Sequence, residues 1–447
     1  MTGTRSAAPE SPRPGAPTAR AGRLRFLFRA LSYPNYRLYF AGQSVSLIGT
    51  WMQRVAMGWL MYRLTNSAFV LGLVGFSGQI PSLLLLPLTG VLADRFDRKR
   101  IMVFCEVLAM IQAAVLAWLV LSGVITVFLA VVLAFTLGTI FAFEAPARQS
   151  LVYQVVRRKE DLAGAIALNS ASFNSARLVG PSIAGLLVAA VGEGWAFLIN
   201  SVTFLAVIWA LLAMRLDPAA RDEQRSVLEG SFMERVANGF RYAFRDPAIR
   251  AVLLLLSFIS LVGFPFIVLM PVFAGAILKG GPDTLGFLMG AMGVGALSGA
   301  LFVASRSHPV HVWKLIPLGA ILLGSGTFLF ALSRSLPLSL VLLVPTGFGM
   351  MLLMASCNTV LQSIVHDSTR GRLMGLYTMA VMGIMPFGSL LAGCVASFIS
   401  APAMLLFGGS CCVLAGLLFA RRSDLRFGAM RKLTRAVPVP PADIRAQ

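Results

Sequence analysis

Charged residues are scarce in this sequence. Only 13% of its 447 residues are charged and 57% are hydrophobic, which gives a mean hydropathy of +0.81. Soluble domains carry about one-quarter charged residues, so the composition excludes an ordinary soluble enzyme or binding domain. It indicates an integral membrane protein that is surrounded by the lipid bilayer.

Several signatures of specialised chemistry are also missing. The five cysteines lie in apolar stretches without a Cys-x-x-Cys pair, which excludes a disulfide framework and a zinc site. The three histidines are too sparse for a metal site, and we expect neither a metal nor a cofactor. No Gly-x-x-x-x-Gly-Lys-Ser/Thr phosphate loop is present, which argues against an ATP-driven pump within this chain.

The first 33 residues lack the apolar core and cleavage site of a signal peptide. They are rich in proline, alanine and arginine, a composition that cannot bury enough apolar surface to fold. We therefore predict that residues 1–33 form a disordered basic tail that stays on the protein.

What the sequence does contain is long apolar runs. A helix needs about 20 apolar residues to cross roughly 30 Å of hydrocarbon, and twelve stretches meet that length. We place these spans at 38–61, 68–92, 101–121, 124–146, 164–191, 194–214, 251–278, 284–305, 315–333, 337–360, 373–398 and 402–420. The sequence therefore predicts an all-α protein with twelve transmembrane helices.

The basic residues explain the formal net charge of +20. Of the 38 Lys and Arg residues, 33 fall in the two tails and in alternate loops, three fall in the other loops, and two lie within spans. Because Lys and Arg in short loops resist translocation, both termini and the basic loops are predicted to be cytosolic. The charge thus marks topology, and we do not expect a nucleic acid partner.

Short matches recur at a nearly constant offset along the chain. "PNYR" at 34–37 and "PAIR" at 247–250 lie 213 residues apart, as do "QSLV" at 149–152 and "QSIV" at 362–365. This pattern predicts two pseudo-symmetric six-helix bundles, an arrangement that places a substrate site near the midplane between them. The expected division is a bundle at 34–214, a cytosolic linker at 215–250, a bundle at 251–420 and a cytosolic tail at 421–447.

The motifs in the first bundle resemble those of the major facilitator superfamily. "GVLADRFDRKR" at 90–100 is similar to its signature loop, and "ARLVGPSIAG" at 176–185 is similar to the motif of its proton-coupled exporters. Ala176 and Ala184 replace two glycines of that motif. The stretches at 49–75 and 145–156 resemble the branch that contains the enterobactin exporter and macrolide-efflux proteins.

This resemblance implies a monomeric secondary transporter of the bacterial inner membrane. It would export an amphipathic small molecule, such as a siderophore or drug, in exchange for protons. An uncoupled facilitator, an importer or a transporter of lipid-type molecules remains an alternative, and a channel or a non-transporting scaffold is a more distant one.

The resemblance also assigns roles to residues in two motifs. Asp94 would meet the start of span eleven and hold a cytosolic gate shut, with the other loop residues Gly90, Arg95 and Arg98. The exporter motif corresponds to Gly180, Pro181 and Gly185.

Four ionisable residues lie inside the predicted spans, and all are in the first half: Arg54, Glu106, Glu144 and Arg177. Ionisable groups at membrane depth are costly and usually functional. The two arginines can receive an anionic substrate or can instead bond to backbone carbonyls or to Asn174, Gln53 and Asn169.

Glu144 is a candidate proton-coupling group or a fixed partner of Arg148. Glu106 is a second candidate or an interfacial residue.

Aromatic and amide side chains at similar depth are expected to face the cavity. They could hold a large amphipathic ligand through apolar surface and a few hydrogen bonds. The predicted cavity residues, with the two arginines, are Trp51, Gln53, Phe173, Asn174 and Asn358.

Overall fold

The computed structural model describes residues 29–85, 89, 96–156, 158–215, 241, 243–306, 312–365 and 367–421. Within them the chain is helical and without strands. Twelve long helical stretches occur in this described part: α1 Pro34–Thr65, α2 Ala68–Leu84, α3 Arg98–Leu121, α4 Val127–Val155, α5 Lys159–Val191, α6 Glu193–Ala213, α7 Pro247–Ile277, α8 Pro282–Ala304, α9 Leu315–Leu332, α10 Leu336–Ile364, α11 367–398 and α12 Ala401–Arg421.

Inside the hydrocarbon core of a bilayer, backbone N–H and C=O groups have to form hydrogen bonds within the protein, and helices meet this requirement. By length and composition, ten of those described can cross a membrane. The helix α2 is apolar but shorter, and α1 is long but more polar. The predicted all-helical membrane fold is confirmed.

The largest departure from the predicted spans is at the end of α4. The hydropathy pattern ends that span at 146, whereas the helix continues to Val155. Polar residues such as Arg148 lower the hydropathy but do not stop a helix. Glu144 therefore lies about three turns from the helix end, inside the first bundle.

The predicted disordered tail is ordered at its end. Arg29–Ser32 form a 3-10 helix in which Ala30 is fully buried. Tyr33 anchors this turn, because its hydroxyl donates to Asp161 Oδ2 at 2.8 Å. Residues 1–28, most of the predicted linker (216–240) and the tail from 422 lie outside the described residues.

Helix packing repeats between the halves. In the first half α1 packs on α5 and α6, α2 on α4, and α3 on α4 and α6. In the second half α7 packs on α11 and α12, α8 on α10, and α9 on α10 and α12. The two halves contact each other where α2 packs on α11 and where α5 packs on α8. The two-fold rotation that relates the halves exchanges these two contacts. This confirms two pseudo-symmetric bundles.

Glycines bring the two halves together at one end of the molecule. A Cβ on Gly185 of α5 would lie 2.6 Å from Cα of Gly286 on α8. A Cβ on Gly72 of α2 would lie 2.9 Å from Cα of Gly393 on α11. Both crossings are at the end where the helices join through short turns, which we call the short-loop end.

The opposite end carries the longer basic connections, and we call it the charged end. There, Gly371 and Gly375 on α11 have room for a side chain, because a Cβ added to either residue would meet no atom within 4 Å. The halves are thus in close contact at the short-loop end, and the described residues leave a cleft between them toward the charged end.

Interrupted helices occur in the second half. The helix α7 changes to 3-10 geometry over Phe264–Leu269, around Pro265, and to a π-turn over Phe273–Ile277. The helix α11 has a π-turn over Met379–Gly383, just before Pro386. Because proline lacks a backbone donor, these breaks give both helices points at which they can bend.

The contacts of Gly185 with Gly286 and of Gly72 with Gly393, which we call the glycine seal, lead to a first prediction. Gly185→Leu should force α5 away from α8, since overpacking costs about 1–3 kcal/mol, and should shift the protein toward a conformation open at the short-loop end. Spin labels placed through Ser122→Cys and Arg334→Cys, in a background without the native cysteines, should report longer distances between the halves. Gly375→Leu, at an open position, is the control. Unchanged distances in Gly185→Leu would show that the glycines do not form the seal.

Candidate functional site

Two arginines flank one tryptophan on the wall of the cleft. The Arg54 guanidinium carbon lies 5.0 Å from the centroid of Trp51, and that of Arg177 lies 5.8 Å from it. Phe173 meets the same indole edge-on at 5.7 Å. At these distances a guanidinium is attracted to the ring face. The two arginines, which the sequence places at similar depth, therefore meet at one ring, with Trp51 between them.

The exporter motif positions this group. A Cβ on Gly180 would lie 2.6 Å from Cβ of Trp51, so only glycine lets α5 approach α1 this closely. Gly185 forms the contact with α8 described above, and the Pro181 carbonyl lies 3.0 Å from where a Cβ on Gly286 would be. The motif thus packs α5 against α1 on one side and against the second half on the other.

Neither arginine has a strong acceptor among the residues that the structure describes. Arg177 Nη2 donates to Met350 Sδ of α10 at 3.4 Å, and thioethers are weak acceptors. Its buried Nε has no hydrogen-bond partner. In the described part of the chain, no carboxylate forms a salt bridge with Arg54 or Arg177. The cleft therefore holds two guanidiniums with unused hydrogen-bonding capacity.

The amides that were alternative partners for these arginines are engaged elsewhere. Asn174 Nδ2 donates to the Ser170 carbonyl at 2.8 Å within α5. Asn169 accepts from the Tyr36 hydroxyl at 3.1 Å. The expectation that such amides hold the arginines is wrong for the residues named.

The expectation that Gln53 faces the cavity is also wrong. Gln53 is only 3% exposed, and its side chain joins three helices of the first half. Its Nε2 donates to Gln112 Oε1 at 3.0 Å, and its Oε1 accepts from Asn200 Nδ2 at 2.6 Å. Gln53 occupies the face of α1 opposite the cleft because buried amides need partners, and those partners lie on α3 and α6.

On the second-half wall, Asn358 lies on α10 eight residues beyond Met350, roughly 12 Å nearer the charged end. Its Oδ1 accepts from Gln362 Nε2 at 2.6 Å on the same helix. Met354 lies between them, with its carbonyl accepting from the Tyr377 hydroxyl at 3.2 Å. This wall is thus mainly apolar at the depth of the arginines.

A second group of charged side chains is buried between α3 and α4. Glu106 and Glu144 are 2% and 4% exposed. Glu144 Oε1 pairs with Arg148 Nη1 at 3.3 Å, whereas Glu106 Oε1 has no hydrogen-bond partner in the described part of the chain. Both carboxylates and Arg148 interact electrostatically. Glu106 therefore lies in the bundle interior and belongs to one cluster with Glu144 and Arg148, which the sequence did not indicate.

Most of the signature loop lies outside the described residues. Gly90, Asp94 and Arg95 are among the residues not described, and so is the gating contact assigned to Asp94. Arg98 begins α3, whose first turn is capped by Asp97: its Oδ1 accepts from the Lys99 and Arg100 amides at 2.9 and 3.2 Å. Asp97 is thus a helix cap within the motif.

The described geometry is that of a helical membrane protein built from two similar halves, and its family follows from similarity to known proteins. The family described as transmembrane secretion effector matches residues 27–446. The chain belongs to this family.

Among the relatives of this secretion effector is the multidrug efflux pump Tap of Mycolicibacterium fortuitum. It is 28% identical over 349 residues, which cover 76% of this chain and 83% of Tap. The staphyloferrin A transporter of Staphylococcus aureus is 22% identical over 358 residues, covering 79% and 88% of the two chains.

The fold also matches a bacterial homolog of the human lysosomal transporter Spinster in an inward-facing, unoccupied conformation. That match has a TM-score of 0.65 and 16% sequence identity, and it covers 91% of this chain and 99% of the other. The structural match bears on the fold alone, and the family match and the relatives show a multi-pass transporter of the major facilitator superfamily rather than an enzyme.

The amide network of this secretion effector gives a second prediction. Gln53→Ala should leave Gln112 and Asn200 without partners, at a cost of about 1–3 kcal/mol, and should lower the midpoint of thermal unfolding in detergent. Asn174→Ala removes an amide that bonds only to its own helix, and it should change the midpoint little. Equal shifts for the two variants would contradict the structural role of Gln53.

Proposed function

We propose that this secretion effector is a proton-coupled exporter of an amphipathic small molecule. It works as a monomer in the bacterial inner membrane, with both termini cytosolic, and moves substrate from the cytosol outward by alternating access. The names of its relatives, a multidrug efflux pump and a siderophore transporter, support this class of substrate. The observation that carries the proposal is the buried cluster of Glu106, Glu144 and Arg148.

The cluster has the composition of a proton site. It combines two carboxyl groups with one arginine, so its charges balance when one carboxyl group holds a proton. Burying an unpaired charge is costly, and Glu106 Oε1 has no partner that would stabilise its ionised form. Loss of that proton leaves two carboxylates to share Arg148. Protonation therefore changes the net charge of the cluster, and it drives exchange if the two orientations of the halves bind this proton with different affinity.

The arrangement of the halves supports alternating access. The glycine seal closes the short-loop end, and the cleft opens toward the charged end, which the distribution of basic residues assigns to the cytosol. In this conformation a cytosolic molecule can reach Trp51 and the two arginines. Rocking of the halves about the sealed contacts would then expose the same site to the outside.

The test is transport by the purified protein in proteoliposomes with a pH gradient and no ATP. Naphthalenesulfonate and ethidium, aromatic amphiphiles of opposite charge, are tested separately, and movement of either one against its gradient in the direction opposite to protons supports the proposal. Glu106→Gln and Glu144→Gln should each abolish gradient-driven movement, because neither variant retains the exchangeable pair. Glu160→Gln, at an exposed position on α5, is the control and should transport as the wild type does.

The outcome separates this proposal from its alternatives. If both probes only equilibrate and are indifferent to the pH gradient, the protein is an uncoupled facilitator. If accumulation runs with the proton gradient, it is a symporter. Wild-type coupling in both Glu106→Gln and Glu144→Gln would remove the cluster from the mechanism.

A further inference from the structure

We infer that Arg54, Trp51 and Arg177 form a binding site for the acidic group of an anionic amphiphile. This inference deepens the proposed function, on which its role in transport rests, by naming the chemical class of substrate. The ligand is a molecule with a carboxylate or a similar delocalised oxyanion attached to an aromatic or aliphatic body.

The first argument is the excess of positive charge. Arg54 interacts electrostatically with Arg177 and with Arg148, and each of these interactions is between like charges. Of these three arginines, Arg148 alone has a carboxylate partner among the described residues, which is Glu144. Two cations held against one indole ring repel each other, and an anion placed between them would remove that repulsion.

The second argument is unused hydrogen-bonding capacity. A guanidinium offers five N–H donors in a fixed planar fork that matches a carboxylate. Arg177 uses one of them on the Met350 sulfur, while its buried Nε has no acceptor. Buried donors are normally satisfied, so the unpartnered Arg177 Nε indicates that an acceptor is missing among the described residues. A bound oxyanion supplies it.

The surroundings define the rest of the ligand. Phe173 is 38% exposed and stands edge-on to Trp51, which leaves aromatic surface beside the two charges. Met350 approaches from the second half at the same depth. An acidic group on the arginines would therefore place the apolar body beside the aromatic surface of Trp51 and Phe173. A cationic ligand is disfavoured at this position, since it would add a third positive charge.

The test uses three probes that share one ring system and differ in charge: naphthoate, naphthamide and naphthylmethylammonium. Binding to the full-length protein in phosphatidylcholine nanodiscs is measured by titration calorimetry without any gradient. Naphthoate should bind about 10- to 100-fold more tightly than naphthamide, as expected for charge-assisted hydrogen bonds, and the ammonium compound should bind most weakly. Arg54→Gln and Arg177→Gln should each remove most of this preference. Arg334→Gln, in a turn at the short-loop end, should keep it.

Three results would overturn the site. These are no naphthoate binding up to millimolar concentration, equal affinity for the three probes, and a preference that persists in both Arg54→Gln and Arg177→Gln. Because the measurement needs no proton gradient, failure of proton coupling would leave its result unchanged, and loss of the anion preference would leave the coupling test intact.

Thermal unfolding of the same variants excludes a merely structural role. If the arginines hold the helices together, Arg177→Gln should lower the unfolding midpoint of the ligand-free protein. If they form an anion site, the variant relieves repulsion between unpaired charges and should unfold at the same or a higher temperature, while naphthoate should raise the midpoint of the wild type only. A lowered midpoint together with unchanged naphthoate affinity would contradict the inference.

Discussion

Charge at membrane depth has to be balanced within the protein, and this constraint organises the molecule. All four ionisable residues within the predicted spans belong to the first half, where α1, α3, α4 and α5 hold them in two neighbouring groups. In the group of Glu106, Glu144 and Arg148, the arginine pairs with Glu144, and Glu106 Oε1 has no hydrogen-bond partner among the described residues. In the other group, no described carboxylate pairs with Arg54 or Arg177. The second half carries no charge at that depth. It contributes apolar walls and the interrupted helices α7 and α11, so polar chemistry and flexibility lie in different halves.

The two charged groups are close enough to affect each other through Arg54 and Arg148. The charges of the two groups, carboxylates in one and arginines without a described carboxylate partner in the other, limit how a proton and a substrate can be exchanged. An anion on the arginines favours protonation of a nearby carboxyl group, so direct electrostatics would make the two bind together. Exchange therefore has to arise from conformation, with the protonated cluster and the bound anion favouring opposite orientations of the halves. A cationic substrate would have no such requirement, because it would compete with the proton directly.

The sequence predicts the helices and the duplication well, since hydropathy and short repeats are local properties. It also places Arg54 and Arg177 at similar depth, because helix rise converts residue count into distance. The sequence does not predict which face of a helix packs against which neighbouring helix. Gln53 and Arg54 are adjacent, yet one is buried in an amide network and the other lines the cleft. The predicted span 124–146 places Glu144 close to its end because apolar runs end at the first charges, whereas α4 continues to Val155.

The glycine crossings give the short-loop end a particular mechanical character. The helices there touch through backbone surfaces whose polar groups already bond within their own helix, and the hydroxyls of Ser182 and Ser389 likewise bond to carbonyls one turn back. Parting the halves at these crossings separates atoms held by dispersion contacts, which are individually weak and lost gradually. Such a joint can slide and tilt as well as separate, and it can close again without having to re-establish a set of directional bonds.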